Sequence, residues 1–295
     1  MFQRPAAPDI QTDYLIIGAG VAGITLAQKL KEKGLEVWLL GSPYESQIAK
    51  AGALQNVSSI AEGTNGLDHI EEMIAKAKEV GVKHKTSLCT SIETNDEIAV
   101  ITKHQKFLAK KVVIATGAKQ PRLDFEGETN FYHKGISDCA VCDWGLYRGK
   151  DIAVIGSHEY TRRAAEFMKQ HANKVYLMWL SEHLDFSLDN ILTFTNVREI
   201  VAMGSDVLEN VSFESEQGSQ KIQISGLFVE GKPKPSTKFL QDSKIKLNES
   251  GYIIVDSKFR TSIQNIWAIG DVTGLTDSYD TAIDHSIQLA KELLI

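Results

Sequence analysis

The stretch that most restricts the fold runs from Tyr14 to Gly23. Tyr14-Leu15-Ile16-Ile17 is a short apolar run, the pattern of a parallel strand covered on both faces. Gly18-Ala19-Gly20-Val21-Ala22-Gly23 follows at once, and Val21 to Lys33 then reads as an amphipathic helix ended by Gly34. Glu36 to Leu40 is the next strand. A G-x-G-x-x-G loop between a strand and a helix is a βαβ opening. Its glycines permit a tight turn and close approach of a pyrophosphate, while the helix N-terminus offers N–H groups and positive dipole to phosphate. An ordinary βα turn is the bland alternative; the setting favours dinucleotide binding.

The pattern returns in mid-chain. Asp151-Ile152-Ala153-Val154-Ile155-Gly156 reads as a strand, Thr161 to His171 as a helix and Lys174 to Trp179 as a strand. Between the two openings lie a helix over Asp68 to Val80 and strands around Leu88–Ile92, Glu97–Ile101 and Lys106–Ile114, the last running into Ala115-Thr116-Gly117. Alternating short strands fill Glu199 to Val229, and Gly231-Lys232-Pro233-Lys234-Pro235 is a break. Gly251 to Asp256 and Ile266 to Asp271 read as further strands, and Thr281 to Leu294 as the closing helix. The fold class is α/β, with two nested Rossmann-like dinucleotide-binding domains of three-layer β-β-α type. Residues 1–118 and 247–295 form a discontinuous domain around an insert at 119–246. A length of 295 residues suits two domains.

Composition narrows the function. The net charge of -6 gives no reason to expect nucleic acid, and no apolar run approaches a membrane span. Met1 to Asp13 holds two prolines and no apolar stretch, so it is not a secretory signal, and a cytoplasmic location is expected. Three cysteines are too few for a disulfide-stapled secreted fold. Cys139 and Cys142 stand in C-x-x-C spacing, which permits a disulfide within one helical turn and its exchange with a partner. Placement at a helix start favours the thiolate. Half of a zinc site is the alternative, but it needs two more ligands. There is no second C-x-x-C, and His133 is the nearby histidine, so no metal is expected. Cys89, in an apolar strand-like stretch, reads as a buried spectator.

Taken in order, the Gly18–Gly23 loop, Ala115-Thr116-Gly117, Cys139-Ala140-Val141-Cys142-Asp143, Arg148-Gly149-Lys150 and Gly270-Asp271 resemble the low-molecular-weight thioredoxin reductase family of flavoenzymes. The resemblance covers nearly the whole chain. It implies an FAD domain made of both chain ends, a middle pyridine-nucleotide-like domain carrying the cysteines, and a homodimer whose middle domain rotates. It places Gly18, Gly20, Val21, Ala22 and Gly23 at the FAD pyrophosphate, and Thr116 and Gly117 near the dinucleotide. Asp271, after Gly270, would bond the ribityl or phosphate region, and Tyr279, Thr281 and Ala282 would open the last helix beside the flavin. It makes Cys142 the flavin-side sulfur, Cys139 the attacker of a thioredoxin-like disulfide, and Asp143 a proton shuttle. A helix-start role for Asp143 is compatible with that. The acidic ribose partner is absent, since Gly41-Ser42 follow Leu40. Trp144 stands where the family commonly has glycine, and packing and stacking on a ring system are both open to it.

The departures bear on the electron donor. The family's middle loop is G-x-G-x-x-A, but here it is Gly156-Ser157-His158-Glu159-Tyr160-Thr161. His158 replaces the glycine that admits a pyrophosphate. After the next strand the family's NADPH users carry arginines for the 2′-phosphate, whereas Trp179-Leu180-Ser181-Glu182-His183 has none. Asp280, between Tyr279 and Thr281, reverses the charge of a family arginine beside flavin and nicotinamide. NADPH is therefore not the expected reductant. The expectation is an FAD enzyme fed by ferredoxin or a similar donor, with a thioredoxin-like protein disulfide as acceptor. Two alternatives stand beside it. One is a diflavin enzyme with a second flavin in the former NADPH site, stacked on Trp144, Trp179 or Tyr160. The other is a flavin-binding redox sensor without turnover. Arg162, Arg163 and the Lys103, Lys106, Lys110, Lys111 cluster are candidate cations for an acidic donor or a phosphate, with ordinary solvated surface as the competing reading.

Overall fold

The apolar run near the N-terminus does form a strand. In the computed structural model, which describes residues 8–51, 54, 57–94, 97–120, 122–276 and 278–294, β1 spans Ile10–Ile17. The helix α1 (Val21–Glu32) and the strand β2 (Val37–Leu40) complete the first βαβ opening. A short α2 (Gln47–Lys50) precedes α3 (Gly66–Glu79). α3 begins two residues before the expected Asp68, because the Asn65 side chain accepts the N–H groups of Leu67 and Asp68. The strands β3 (Lys83–Lys85), β4 (Cys89–Thr94), β5 (Ile98–Thr102), β6 (Lys106–Ile114) and β7 (Ala118–Lys119) follow.

The next stretch holds α4 (Glu128–Phe131), β8 (Ile136–Ser137), the one-turn α5 (Ala140–Asp143), β9 (Asp151–Gly156), α6 (Glu159–Lys169) and β10 (Lys174–Trp179). Five short strands come after: β11 (Leu192–Phe194), β12 (Arg198–Met203), β13 (Asn210–Glu214), β14 (Gln220–Gln223) and β15 (Gly226–Val229). The chain closes with β16 (Lys234–Pro235), β17 (Ile266–Ala268) and α7 (Tyr279–Leu293).

The described residues divide into two units: those within 1–52, 57–119 and 234–295 in the first, those within 53–56 and 120–233 in the second. Lys119 and residues 234–246 are expected in the insert. They group instead with the chain ends, because β16 pairs antiparallel with β7 and Ser236 N–H donates to Gly117 O.

In the first unit the sheet runs β3-β2-β1-β6-β5-β4, with β17 beside β6. β3, β2, β1, β6 and β17 are mutually parallel; β4 and β5 are antiparallel additions. Alternation along β1 sends Tyr14 and Ile16 into one core with α1, α3 and α7, and Leu15 and Ile17 into a second with β4, β5, Leu240 and Ile253. This is the expected helix–sheet–strand layering. Gly251 to Asp256 does not form the expected strand. The Asn248 side chain accepts the N–H groups of Ser250 and Tyr252 and holds a turn, leaving an isolated bridge between Leu247 and Ile253. Ile253 is buried, which is what made the run look like a strand.

The second unit has an all-parallel sheet, β11-β10-β9-β15-β8, and an antiparallel one, β12-β13-β14. One core packs between the two sheets; another packs α5 and α6 on the parallel sheet. Among the described residues no helix is long and apolar enough to cross a membrane.

Candidate active site

The first βα turn is shaped by close backbone contacts. Gly18 has φ +116°, and a Cβ there would lie 2.1 Å from Ala115 O. A Cβ on Gly23 would lie 1.9 Å from Gly18 O. Gly20 differs: an added Cβ would meet only Ser46 Cβ, at 3.7 Å. Gly20 is the N-cap of α1 and supplies no side-chain cap, and the first helical bond runs from Ile24 N–H to Gly20 O at 2.9 Å. The N–H groups of Val21, Ala22 and Gly23 thus open the helix ahead of its own ladder. An uncapped helix start beside an unfilled glycine fits the pyrophosphate of FAD.

The other residues expected to hold FAD lie in the same unit. A Cβ on Gly270 would lie 3.2 Å from Ala22 Cβ, which seats Gly270 and Asp271 against the first turn of α1. Gln47 Nε2 donates to Ala118 O at 2.7 Å and reaches Asp271 Oδ2 at 3.5 Å. Thr116 Oγ1 donates to Ser236 O at 2.9 Å, which fixes the end of β6. Ala282 is buried against the α1 core, and Ser286 Oγ donates to Ala22 O at 2.9 Å, binding α7 to α1. Tyr279 turns its hydroxyl to His69 Nε2 at 2.9 Å, and Thr281 bonds the Ser278 cap. Asp280 accepts Ser58 N–H, Ser58 Oγ and Ser59 Oγ, at 3.2, 2.8 and 3.0 Å. The Ser58 hydroxyl is the main reason that its carboxyl titrates below the usual range. Its charge, expected to alter the flavin's surroundings, holds the 58–59 turn.

The second unit carries the cysteines. β8 delivers the chain to Cys139, the N-cap of α5, whose Sγ is bonded to Cys142 Sγ at 2.06 Å. Cys142 N–H points at Cys139 Sγ at 3.2 Å. Asp143 is buried and accepts the Ser137 hydroxyl at 2.7 Å, while Ser137 Oγ accepts Cys139 N–H at 3.1 Å. Ser137 thus ties Asp143 to the start of the redox turn, a role no sequence motif announced. Asp138 accepts the Tyr132 hydroxyl at 2.6 Å; burial, and then this carboxylate, push that phenol well above its ordinary range. Of the readings open for Trp144, packing within the unit is what appears: its ring stacks on His171 at 4.1 Å and meets Phe167 edge-on. Cys89 is a free, buried thiol, pushed up to about 12 by burial.

The βα turn after β9 contrasts with the first. A Cβ on Gly156 would lie 2.0 Å from Glu230 O and 2.3 Å from Thr161 Oγ1. Thr161 Oγ1 accepts His158 N–H at 3.3 Å and donates to Glu230 O, so the turn is closed on itself. The His158 ring occupies the position matching Gly20 and stacks on Tyr160 at 5.3 Å. Glu159 pairs with Arg162 at 2.6 Å and Arg163 at 3.2 Å, and Arg162 also pairs with Glu166 at 2.6 Å. Hydrogen bonding to Arg162 brings the Glu159 carboxyl down to about 2. Both arginines, candidates for a donor or a phosphate, are engaged by their own helix. Trp179 is buried with its indole N–H on His183 O at 2.9 Å. Of the lysine cluster, Lys110 pairs with Asp13 at 2.8 Å and Lys111 donates to the Tyr14 hydroxyl at 3.0 Å.

Known proteins resemble this chain in sequence and fold. A family model described as pyridine nucleotide-disulphide oxidoreductase matches residues 12–288. The thioredoxin reductase of Aquifex aeolicus (strain VF5) is 27% identical over 281 residues, 90% of this chain and 86% of that protein. A 34.2 kDa protein in the rubredoxin operon of Clostridium pasteurianum is 31% identical over 280 residues, 89% of each chain. The crystal structure of thioredoxin reductase from Streptococcus pyogenes MGAS5005 has a TM-score of 0.84 and 27% identity, over 97% of this chain and 98% of that one. The chain belongs to the pyridine nucleotide-disulphide oxidoreductase family and is a thioredoxin reductase-like flavin disulfide oxidoreductase.

Proposed function

We propose that this chain reduces a thioredoxin-like protein disulfide through Cys139 and Cys142, with FAD in the first unit and with ferredoxin or a similar one-electron protein, rather than NADPH, as donor. The observation that carries the reading is the βα turn after β9. There the His158 ring stands where the first unit has Gly20, and Thr161 closes the turn onto Glu230. A pyrophosphate needs open backbone and free N–H groups at that place. The strand that follows ends in Trp179 and continues through residues 180–183 without an arginine for a 2′-phosphate.

Bound in the first unit, FAD supplies a carrier that takes electrons singly and gives them in pairs. The protein's own residues then handle the disulfide. By family resemblance Cys142 is the sulfur that takes electrons from flavin, and Cys139 is freed to attack the partner. The Cys142 N–H, 3.2 Å from Cys139 Sγ, favours the thiolate that attack requires. By family resemblance Asp143, whose carboxylate accepts the Ser137 hydroxyl, passes a proton to the leaving sulfur. By family resemblance the working form is a homodimer.

The test is turnover of a thioredoxin-like protein under anaerobic conditions with either reduced ferredoxin or NADPH. Ferredoxin should support turnover and NADPH should not, and Cys139→Ser should abolish the ferredoxin-driven rate. Equal rates with NADPH, or full activity in the serine variant, would overturn the proposal.

A further inference from the structure

One buried acid beside the redox turn has no part in the chemistry above. Its place follows from topology. β9 is the middle strand of the parallel sheet, with β10 on one side and β15 on the other, so strand order reverses between β9 and β15. The equivalent point of the first unit lies between β1 and β6. The registers correspond. Ile17 pairs with Ile114, and Gly18 and Ala115 come next; Ile155 pairs with Val229, and Gly156 and Glu230 come next. Glu230 therefore stands where the first unit has Ala115, at the position where open α/β sheets hold ligands.

The side chain is not offered to solvent, being only 7% exposed. Its carboxylate accepts Ala140 N–H at 2.7 Å, and Ala140 is the residue between Cys139 and Val141. Cys142 N–H, from the same turn, points at Cys139 Sγ. Carboxylate and sulfur thus share the N–H donors at one end of a single turn. Burial raises the Glu230 carboxyl to about 8, the Ala140 N–H opposes that, and the charge of Asp138 adds to it. Asp138 is engaged by the Tyr132 hydroxyl, and of the acids on the neighbouring turns Asp143 is engaged by Ser137 and Glu159 by Arg162 and Arg163. His158, at the start of α6, is stacked on Tyr160. Among the described residues no cation forms a salt bridge with Glu230.

We propose that Glu230 is a positioning residue that holds the redox turn by Ala140 N–H and takes up a proton when the Cys139–Cys142 disulfide is reduced. This rests on the dithiol reading above. Reduction breaks the Sγ–Sγ bond and adds two electrons from reduced flavin or a dithiol. Above about pH 8, where the oxidised protein holds Glu230 ionised, one of the two protons that balance them ends on a sulfur and the other on Glu230, whose proton affinity rises because the second sulfur is now a thiolate. Both protons leave when the pair passes its electrons to a disulfide substrate and closes again.

The test is the reduced-minus-oxidised infrared difference spectrum of the holoenzyme at pH 9, with dithiothreitol as reductant. A protonated-carboxyl band should appear on reduction and be absent from Glu230→Gln, which keeps an acceptor for Ala140 N–H but no proton. Alkylation of the reduced enzyme by iodoacetamide should rise with pH in two steps, as coupled groups do, and in one step in Glu230→Gln. No carboxyl band in the wild type, which needs no variant to fold, would overturn the proposal, as would a band that survives in Glu230→Gln. Full thioredoxin turnover by Cys139→Ser would overturn the dithiol reading instead, a separate result from the infrared one.

Discussion

Gly156 and Glu230 meet backbone to backbone as Gly18 and Ala115 do: an added Cβ would lie 2.0 Å from the carbonyl oxygen in one pair and 2.1 Å in the other. The chain uses one strand-end contact twice. It leaves the first turn open at Gly20 and closes the second with His158 and Thr161.

That difference predicts opposite effects for two alanine substitutions. Gly156→Ala puts a Cβ into Glu230 O, so it should destabilise the second unit by roughly 1–3 kcal/mol or more. Gly20→Ala meets only Ser46 Cβ at 3.7 Å and should leave the melting temperature of flavin-free protein unchanged. It should instead lower the flavin-to-protein absorbance ratio, because the added methyl group fills the space of the pyrophosphate. Equal loss of stability in both variants would contradict this contrast.

Ser137→Ala removes a 2.7 Å hydrogen bond to the buried Asp143 carboxylate and the acceptor of Cys139 N–H. A bond to a charged buried group is worth about 1.5–3 kcal/mol. The variant should lose stability of that order in urea melts. Its dithiol-dependent rate should also fall, while flavin content stays at the wild-type level.

Glu230 makes stability depend on pH in a stated direction. Its carboxyl is raised from 4.5 to about 8 in the folded chain, so the folded form binds the proton more tightly than the unfolded form. The stabilisation is fully present below pH 4.5 and is lost as pH rises through about 8. Glu230→Gln should therefore gain on the wild type by a few kcal/mol between pH 5 and pH 9, since a tenfold difference in proton affinity is worth about 1.4 kcal/mol. Urea melts at the two pH values check it, and a constant difference between the proteins would contradict it.

Both βαβ openings were legible in the sequence. Their strands are short apolar runs, and glycines sit where the backbone turns onto a helix. Asp151 to Gly156 and Lys174 to Trp179 form strands over the residues expected. Gly251 to Asp256 misled because a buried Ile253 between polar residues has strand periodicity, while the Asn248 turn that governs it lies outside the run. The cysteine pair and Asp143 were visible as a contiguous motif, and they fold into one turn. Ser137 and Glu230 were not, for different reasons. Ser137 acts through a hydroxyl on a two-residue strand, which carries no spacing signature. Glu230 lies 90 residues from Ala140, and only the pairing of β15 with β9 brings its strand end toward the redox turn. The arginines of α6 stood open between candidate cations and solvated surface, because Glu159, which pairs with both, lies outside the helix expected from Thr161.

The most direct test of the central claim is the flavin absorbance of the anaerobic holoenzyme mixed with stoichiometric NADPH, beside the same protein mixed with reduced ferredoxin. The account predicts that the flavin stays oxidised with NADPH, and that ferredoxin bleaches it and releases the Cys139 and Cys142 thiols. Rapid bleaching by NADPH would contradict it.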